Sequence, residues 1–125
     1  MNRRIALASL ISVAVASPAL AGYGYLQEVS VTSTSAQGSV SGARRSADAV
    51  QYIYCAASAT LSGAVSGSCN ARDKLGNVRS CSTTVPAMID AIQSIDDSSF
   101  ILFQVNGSGQ CSSISVYRGS QYMDP

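Results

Sequence analysis

Cys55, Cys69, Cys81 and Cys111 are the residues of this chain best equipped for chemistry, and that chemistry is pairing with one another. An even number of cysteines in a small exported domain reads as two disulfides. Zinc binding is the competing use. The spacings contain no close Cys-x-x-Cys pair, and the chain has no histidine. Structural zinc sites usually carry such pairs. Lack of histidine also removes Ser-His-Asp and Cys-His catalysis. No Gly-x-x-x-x-Gly-Lys-Ser/Thr loop occurs, and the Gly-Tyr-Gly at Gly22 lacks the preceding strand of a dinucleotide site. No catalytic residue, metal ligand or cofactor is assigned.

Two further sets of side chains bear on function. Asp90, Asp96 and Asp97 form the tightest group of carboxylates, and paired carboxylates are the machinery of glycosidases. Asp96-Asp97 reads instead as a solvated helix end. A calcium site built on Asp96, Asp97 and Ser98 lacks the multi-ligand acidic loop such sites use. Tyrosine carries most of the aromatic surface, since the chain has six tyrosines, two phenylalanines and no tryptophan. On an exposed sheet face, Tyr52, Tyr54 and Tyr117 would form an amphipathic binding patch. A helix packed on that face would make them core instead.

The elements that must position these residues read as an antiparallel β domain. Short runs of β-branched and aromatic residues alternate with small polar ones, between glycine-containing turns. Strands are expected over 28–35, 49–60, 64–73, 78–84, 100–105 and 111–117. The stretch 37–45 reads as a loop or weak edge strand, and 118–125 as an irregular tail. Over 85–95 the period changes: Met88, Ile92 and Ile95 recur at helical spacing, with Ile89 and Ala91 beside them. Thr84 is the expected N-cap, with Pro86 in the first turn. The strand 100–105 is apolar on both faces and is expected at the centre of the sheet. Ile92 and Phe103 are the expected heart of the core. The fold class is α+β: one antiparallel sheet of five or six strands, one amphipathic helix against it, and two disulfides.

Hairpin symmetry bears on the pairing of the cysteines. Folding the second and third strands about Ser62 sets Cys55 opposite Cys69. Folding the third and fourth about Leu75 sets Cys69 opposite Cys81. The up-and-down path brings Cys111 to the end of the sheet that holds Cys81. It favours Cys55–Cys69 with Cys81–Cys111, and Cys69–Cys81 with Cys55–Cys111 is the alternative.

Residues 1–21 read as a secretory signal peptide: Arg3-Arg4, an apolar run over 5–15, and Ala19-Leu20-Ala21 as the cleavage site. The run is shorter than the roughly 20 residues a membrane helix needs. Residues 22–125 are then a single domain, with six basic residues against seven acidic ones. A near-neutral chain is not the profile of a nucleic-acid binder. The one basic doublet left, Arg44-Arg45, reads as a solvated loop rather than a phosphate site.

Residues 54–122 also carry a recognisable pattern. It runs through Cys55, Cys69-Asn-Ala-Arg-Asp with Gly76, Cys81-Ser-Thr-Thr, Cys111 and Ser120-x-Tyr122. It resembles a group of small exported bacterial proteins of unknown function with four cysteines. The resemblance implies a disulfide-stapled domain and brings no activity or site residues with it.

The expected function is that of a small secreted or periplasmic, non-catalytic binding protein whose partner is a protein or a polysaccharide. No nucleic acid and no membrane span after cleavage are expected. The first alternative is a self-associating structural subunit that adds its 28–35 strand to a neighbour's sheet. The second is a small aspartate-dependent hydrolase.

Overall fold

The computed structural model describes residues 22–123; the signal peptide read over 1–21 lies outside them. The elements in chain order are β1 (Ser30–Val31), β2 (Ser35–Ser39), α1 (Val40–Arg44), β3 (Tyr52–Ala59), β4 (Val65–Arg72), β5 (Val78–Thr83), α2 (Pro86–Gln93), β6 (Ser99–Val105) and β7 (Cys111–Arg118). A 3-10 turn, Ser120–Tyr122, follows.

The strands form two antiparallel sheets rather than one sheet of five or six strands. One has the order β1-β2-β6-β7, the other β3-β4-β5. Helix length explains the correction. An eight-residue helix is about 12 Å long, whereas six strands about 4.8 Å apart span roughly 24 Å. The helix cannot cover such a sheet, so the apolar faces cover each other. Ala36, Ile101 and Phe103 from the first sheet and Ile53, Cys69 and Ala71 from the second join one buried cluster. An isolated parallel bridge joins Ser82 of β5 to Gln110, the residue before β7.

The weak stretch 37–45 is the largest local surprise. Its first part belongs to β2, which lies inside the sheet between β1 and β6. Ala36 and Gly38 face Phe103 and Ile101 in register. Small residues here make room for large ones opposite. Its second part is α1, capped by Ser39, whose Oγ accepts the Gly42 N–H at 2.9 Å. Gly42 is required by space: a Cβ there would run into the Gln27 carbonyl oxygen and Ser39 Oγ. The expected strand 28–35 is split: Ser30–Val31 form β1, and Ser35 already opens β2.

β3, β4 and β5 follow the expected hairpins, with Cys55, Cys69 and Cys81 in one cross-strand row. The bridges are Cys55–Cys69, with Cα atoms 4.0 Å apart, and Cys81–Cys111, at 4.9 Å. The first lies within the three-stranded sheet and the second ties that sheet to the other. β6 sits between β2 and β7, and Phe100, Ile101 and Phe103 are buried. α2 lays Ile92 over Gly67 of β4, where a Cβ would come within 2.6 Å of Ile92 Cδ1. Its N-cap is Val85, not Thr84. The hydroxyl that serves this end belongs to Thr83, which accepts the Val85 N–H at 3.0 Å.

Candidate functional site

Strand alternation decides which way the tyrosines point. In β3, Ile53 is buried while Tyr52 and Tyr54 are exposed, by 37% and 51%. Both rings therefore stand on the outer face of the three-stranded sheet. Their centroids are 5.8 Å apart and their planes are tilted by 44°. Across the ladder, Tyr52 faces Arg72 and Tyr54 faces Asn70. Asn70 in turn faces Ser80. Ser80 Oγ donates to Asn70 Oδ1 at 2.7 Å, which fixes the oxygen of the Asn70 amide and leaves its NH2 group outside that bond.

Tyr117 does not join this pair. It lies on β7, in the other sheet, and its ring meets Phe100 edge-on at 5.8 Å. Phe100 also stacks on Tyr122, and Tyr122 meets Tyr25. The amide of Tyr25 bonds the Gln121 carbonyl at 2.6 Å. This second aromatic group fastens the start of the described chain to its end. It serves the fold, with one side of Tyr117 left open.

Tyr52 and Tyr54 also border a cleft of about 500 Å³ between α1 and β3. Arg44, Ser46, Ala49 and Gln51 line it as well. The loop between α1 and β3 is held by Asp48. Its carboxylate accepts the Gln51 side-chain amide at 2.6 Å, the backbone amides of Val50 and Gln51, and the Ser46 hydroxyl. The Gln51 amide, followed by the Val50 N–H, holds the Asp48 carboxyl down at about 2. Gln51 is buried, and its Oε1 accepts the Val29 N–H at 2.8 Å. The loop is thereby anchored to the segment that leads into β1. Between these anchors Ala49 takes a left-handed backbone, φ +56°. Such a conformation costs a non-glycine residue about 1–3 kcal/mol and recurs where a loop shapes a site.

The amino-acid pattern points to the two tyrosines but not to the cleft beside them. Arg44 reads as part of a solvated doublet because nothing local announces α1. The one local signal is Asp48, two and three residues before Val50 and Gln51, the spacing of an Asx turn.

The aspartates are dispersed. Asp90 borders a groove with Val65, Pro86 and Ile89, while Asp96 and Asp97 line a different hollow with Met123. Asp96 is occupied: it accepts the Ser98 N–H and the hydroxyls of Ser98 and Ser99, and pairs with Arg118 at 2.8 Å. These partners, the Ser98 hydroxyl foremost, lower its pKa. It is the keystone of the α2–β6 turn rather than a bare solvated helix end. Among the described residues, no three cysteine, histidine or acidic side chains group to hold a metal ion. No helix among them is long and apolar enough to cross a membrane.

The chain matches no protein-family model, no curated protein and no solved structure.

Proposed function

We propose that the protein is a small exported binding module, secreted or periplasmic, that holds a polysaccharide against the outer face of β3 and β4 without transforming it. The observation that carries this reading is the exposed Tyr52–Tyr54 pair beside the Arg44 cleft. A tyrosine ring offers an apolar face to the C–H side of a sugar and a hydroxyl at its tip. Around the pair stand hydrogen-bonding side chains at fixed places: Asn70, Ser80 and Arg72 on the sheet, Ser46 on the loop. A concave, mainly preformed surface with a few oriented polar groups is the usual form of a small-ligand site. The two disulfides are compatible with an oxidising compartment. Membership of the small exported four-cysteine group is part of this proposal.

Binding of the purified protein to immobilised polysaccharides tests it. The wild type should retain at least one polymer, and Tyr54→Ala should weaken that binding about tenfold or more, with its thermal midpoint nearly unchanged. Retention of no polymer, or equal retention by Tyr54→Ala, would overturn the reading.

A second reading, self-association, is favoured by one observation. Residues 56–66 of the β3–β4 hairpin are exposed throughout, carry no charge, and include a fully exposed Leu61 at the tip. Natural edge strands usually carry charges or proline that block pairing. The edge strand this reading uses is β3, in addition to β1, the two-residue edge strand within the 28–35 segment. Sedimentation over a range of concentrations tests it, and a monomer throughout would exclude it.

A further inference from the structure

Five of the six basic residues beyond residue 21 gather at the end of the three-stranded sheet where β3 begins. Arg44 and Arg45 close α1, and Arg72, Lys74 and Arg79 flank the β4–β5 turn. Some of these charges are engaged. Lys74 pairs with Glu28 at 3.5 Å. Arg79 donates to the Thr32 carbonyl at 2.9 Å. Two others have no ion pair or side-chain hydrogen bond among the described residues: Arg44, in the cleft with both tyrosines, and Arg72, directly across the ladder from Tyr52. The Arg72 guanidinium lies over the β4–β5 turn, near Gly76.

The acids at this end are Glu28, Asp48 and Asp73, and each has a local task. Glu28 holds Lys74. Asp48 holds the loop through Gln51, Val50 and Ser46. Asp73 is buried and accepts from the amides of Leu75 and Asn77 and from the Asn77 side chain. Among the described residues, no carboxylate forms an ion pair with Arg44 or Arg72. The other acids of the described chain, Asp90, Asp96 and Asp97, lie on or just after α2. This end thus carries five basic side chains against three carboxylates, and two of its arginines flank the aromatic pair with no ion pair among the described residues.

From this placement we infer that the ligand of the Tyr52–Tyr54 site is an acidic polysaccharide, one whose sugars carry carboxylates. The inference rests on the proposed binding function and specifies its ligand class. The tyrosines take the sugar faces, and Arg44 and Arg72 take the carboxylates on either side of Tyr52. A guanidinium matches a carboxylate with two parallel charge-assisted hydrogen bonds, stronger than those it makes to the uncharged hydroxyls of a neutral sugar. The aromatic faces supply affinity for any sugar, and the arginines supply the selection for charge.

Titration calorimetry of the purified protein with polygalacturonate, neutral galactan, polyglutamate and single-stranded DNA separates the outcomes. Polygalacturonate should bind at least tenfold more tightly than galactan and should weaken as salt is raised. Arg44→Gln and Arg72→Gln should each reduce polygalacturonate binding about fivefold to tenfold and narrow its advantage over galactan. Equal binding of galactan and polygalacturonate, with both arginine variants silent, would overturn the acidic assignment and leave the binding module standing. Equal binding of polyglutamate or DNA would show a response to charge alone and overturn the sugar assignment. Binding of neither polysaccharide would overturn both.

Discussion

Ala36 stands directly opposite Phe103 in the β2–β6 ladder, and neither side chain has any exposed surface. The methyl group is the complement of the ring: the space one leaves is the space the other fills. Two substitutions read this relationship from opposite sides. Phe103→Ala should cost about 3–5 kcal/mol through the cavity it opens. Ala36→Leu should cost about 1–3 kcal/mol through overpacking. Urea unfolding with both disulfides intact measures each. A change at either position far below these ranges would contradict the packing described.

Gly67 and Ile92 form a second complementary pair, between β4 and α2. Gly67→Ala should destabilise the wild type, because the new Cβ meets Ile92 Cδ1 at 2.6 Å. Ile92→Val deletes that Cδ1 and by itself should cost about 0.5–1.5 kcal/mol. With Ile92→Val already in place, Gly67→Ala should be neutral or stabilising, since alanine loses less freedom in a strand than glycine. A double-mutant cycle reads the coupling directly, and additive costs would show that α2 does not bear on Gly67.

The two disulfides should differ in weight. Loops of 14 and 30 residues are closed by Cys55–Cys69 and Cys81–Cys111. Chain entropy alone assigns them about 3 and about 3.7 kcal/mol. The second also holds one sheet to the other, so the Cys81→Ser, Cys111→Ser double variant should lose more than the Cys55→Ser, Cys69→Ser variant. Denaturant midpoints of the two settle the order.

Acid should weaken the fold in a defined window. The Asp48 carboxyl is held at about 2, by Gln51 first and the Val50 amide next. Asp73, through the Asn77 side chain, and Asp96, through the Ser98 hydroxyl, are shifted down as well. A depressed carboxyl contributes stability that is fully present above the unfolded value of about 3.9 and is lost as pH falls through the folded one. Stability should therefore hold level from pH 7 to about 5 and drop between about 4 and 2. Asp48→Asn should make the drop shallower. A midpoint that rises on acidification would contradict these hydrogen bonds.

Elements with strong local signals are legible in the amino-acid sequence. β3 to β5 announce themselves by alternation and by turns such as 74–77, α2 by the spacing of Met88 and Ile92, and β6 by its apolar run. β2 does not, because Ser-Ala-Gln-Gly-Ser has no strand-forming side chain. It is a strand only because Phe103 and Ile101 need small neighbours, and those neighbours lie far away in the chain, at Ala36 and Gly38. The division into two sheets is equally non-local: alternation reveals a face but not which sheet owns it. That is why Tyr52 and Tyr54 are neighbours, as their spacing predicts, while Tyr117 belongs elsewhere. The cleft is hidden for the same reason, since Arg44 meets the tyrosines only through α1 and the loop that Asp48 secures.

The bridge between Cys81 and Cys111 also sets how this domain would carry load. A pull on the two chain ends reaches neither the 14-residue span from Cys55 to Cys69 nor the 30-residue span from Cys81 to Cys111. At about 3.4 Å per residue, about 150 Å of chain is withheld from extension. α2 and β6 lie wholly within the longer loop. Tension can peel away β1, β2 and α1 and still leave that loop closed. Tyr52, only three residues before Cys55, would hold its ligand at the margin of the inextensible part, as a grip mounted next to a rivet.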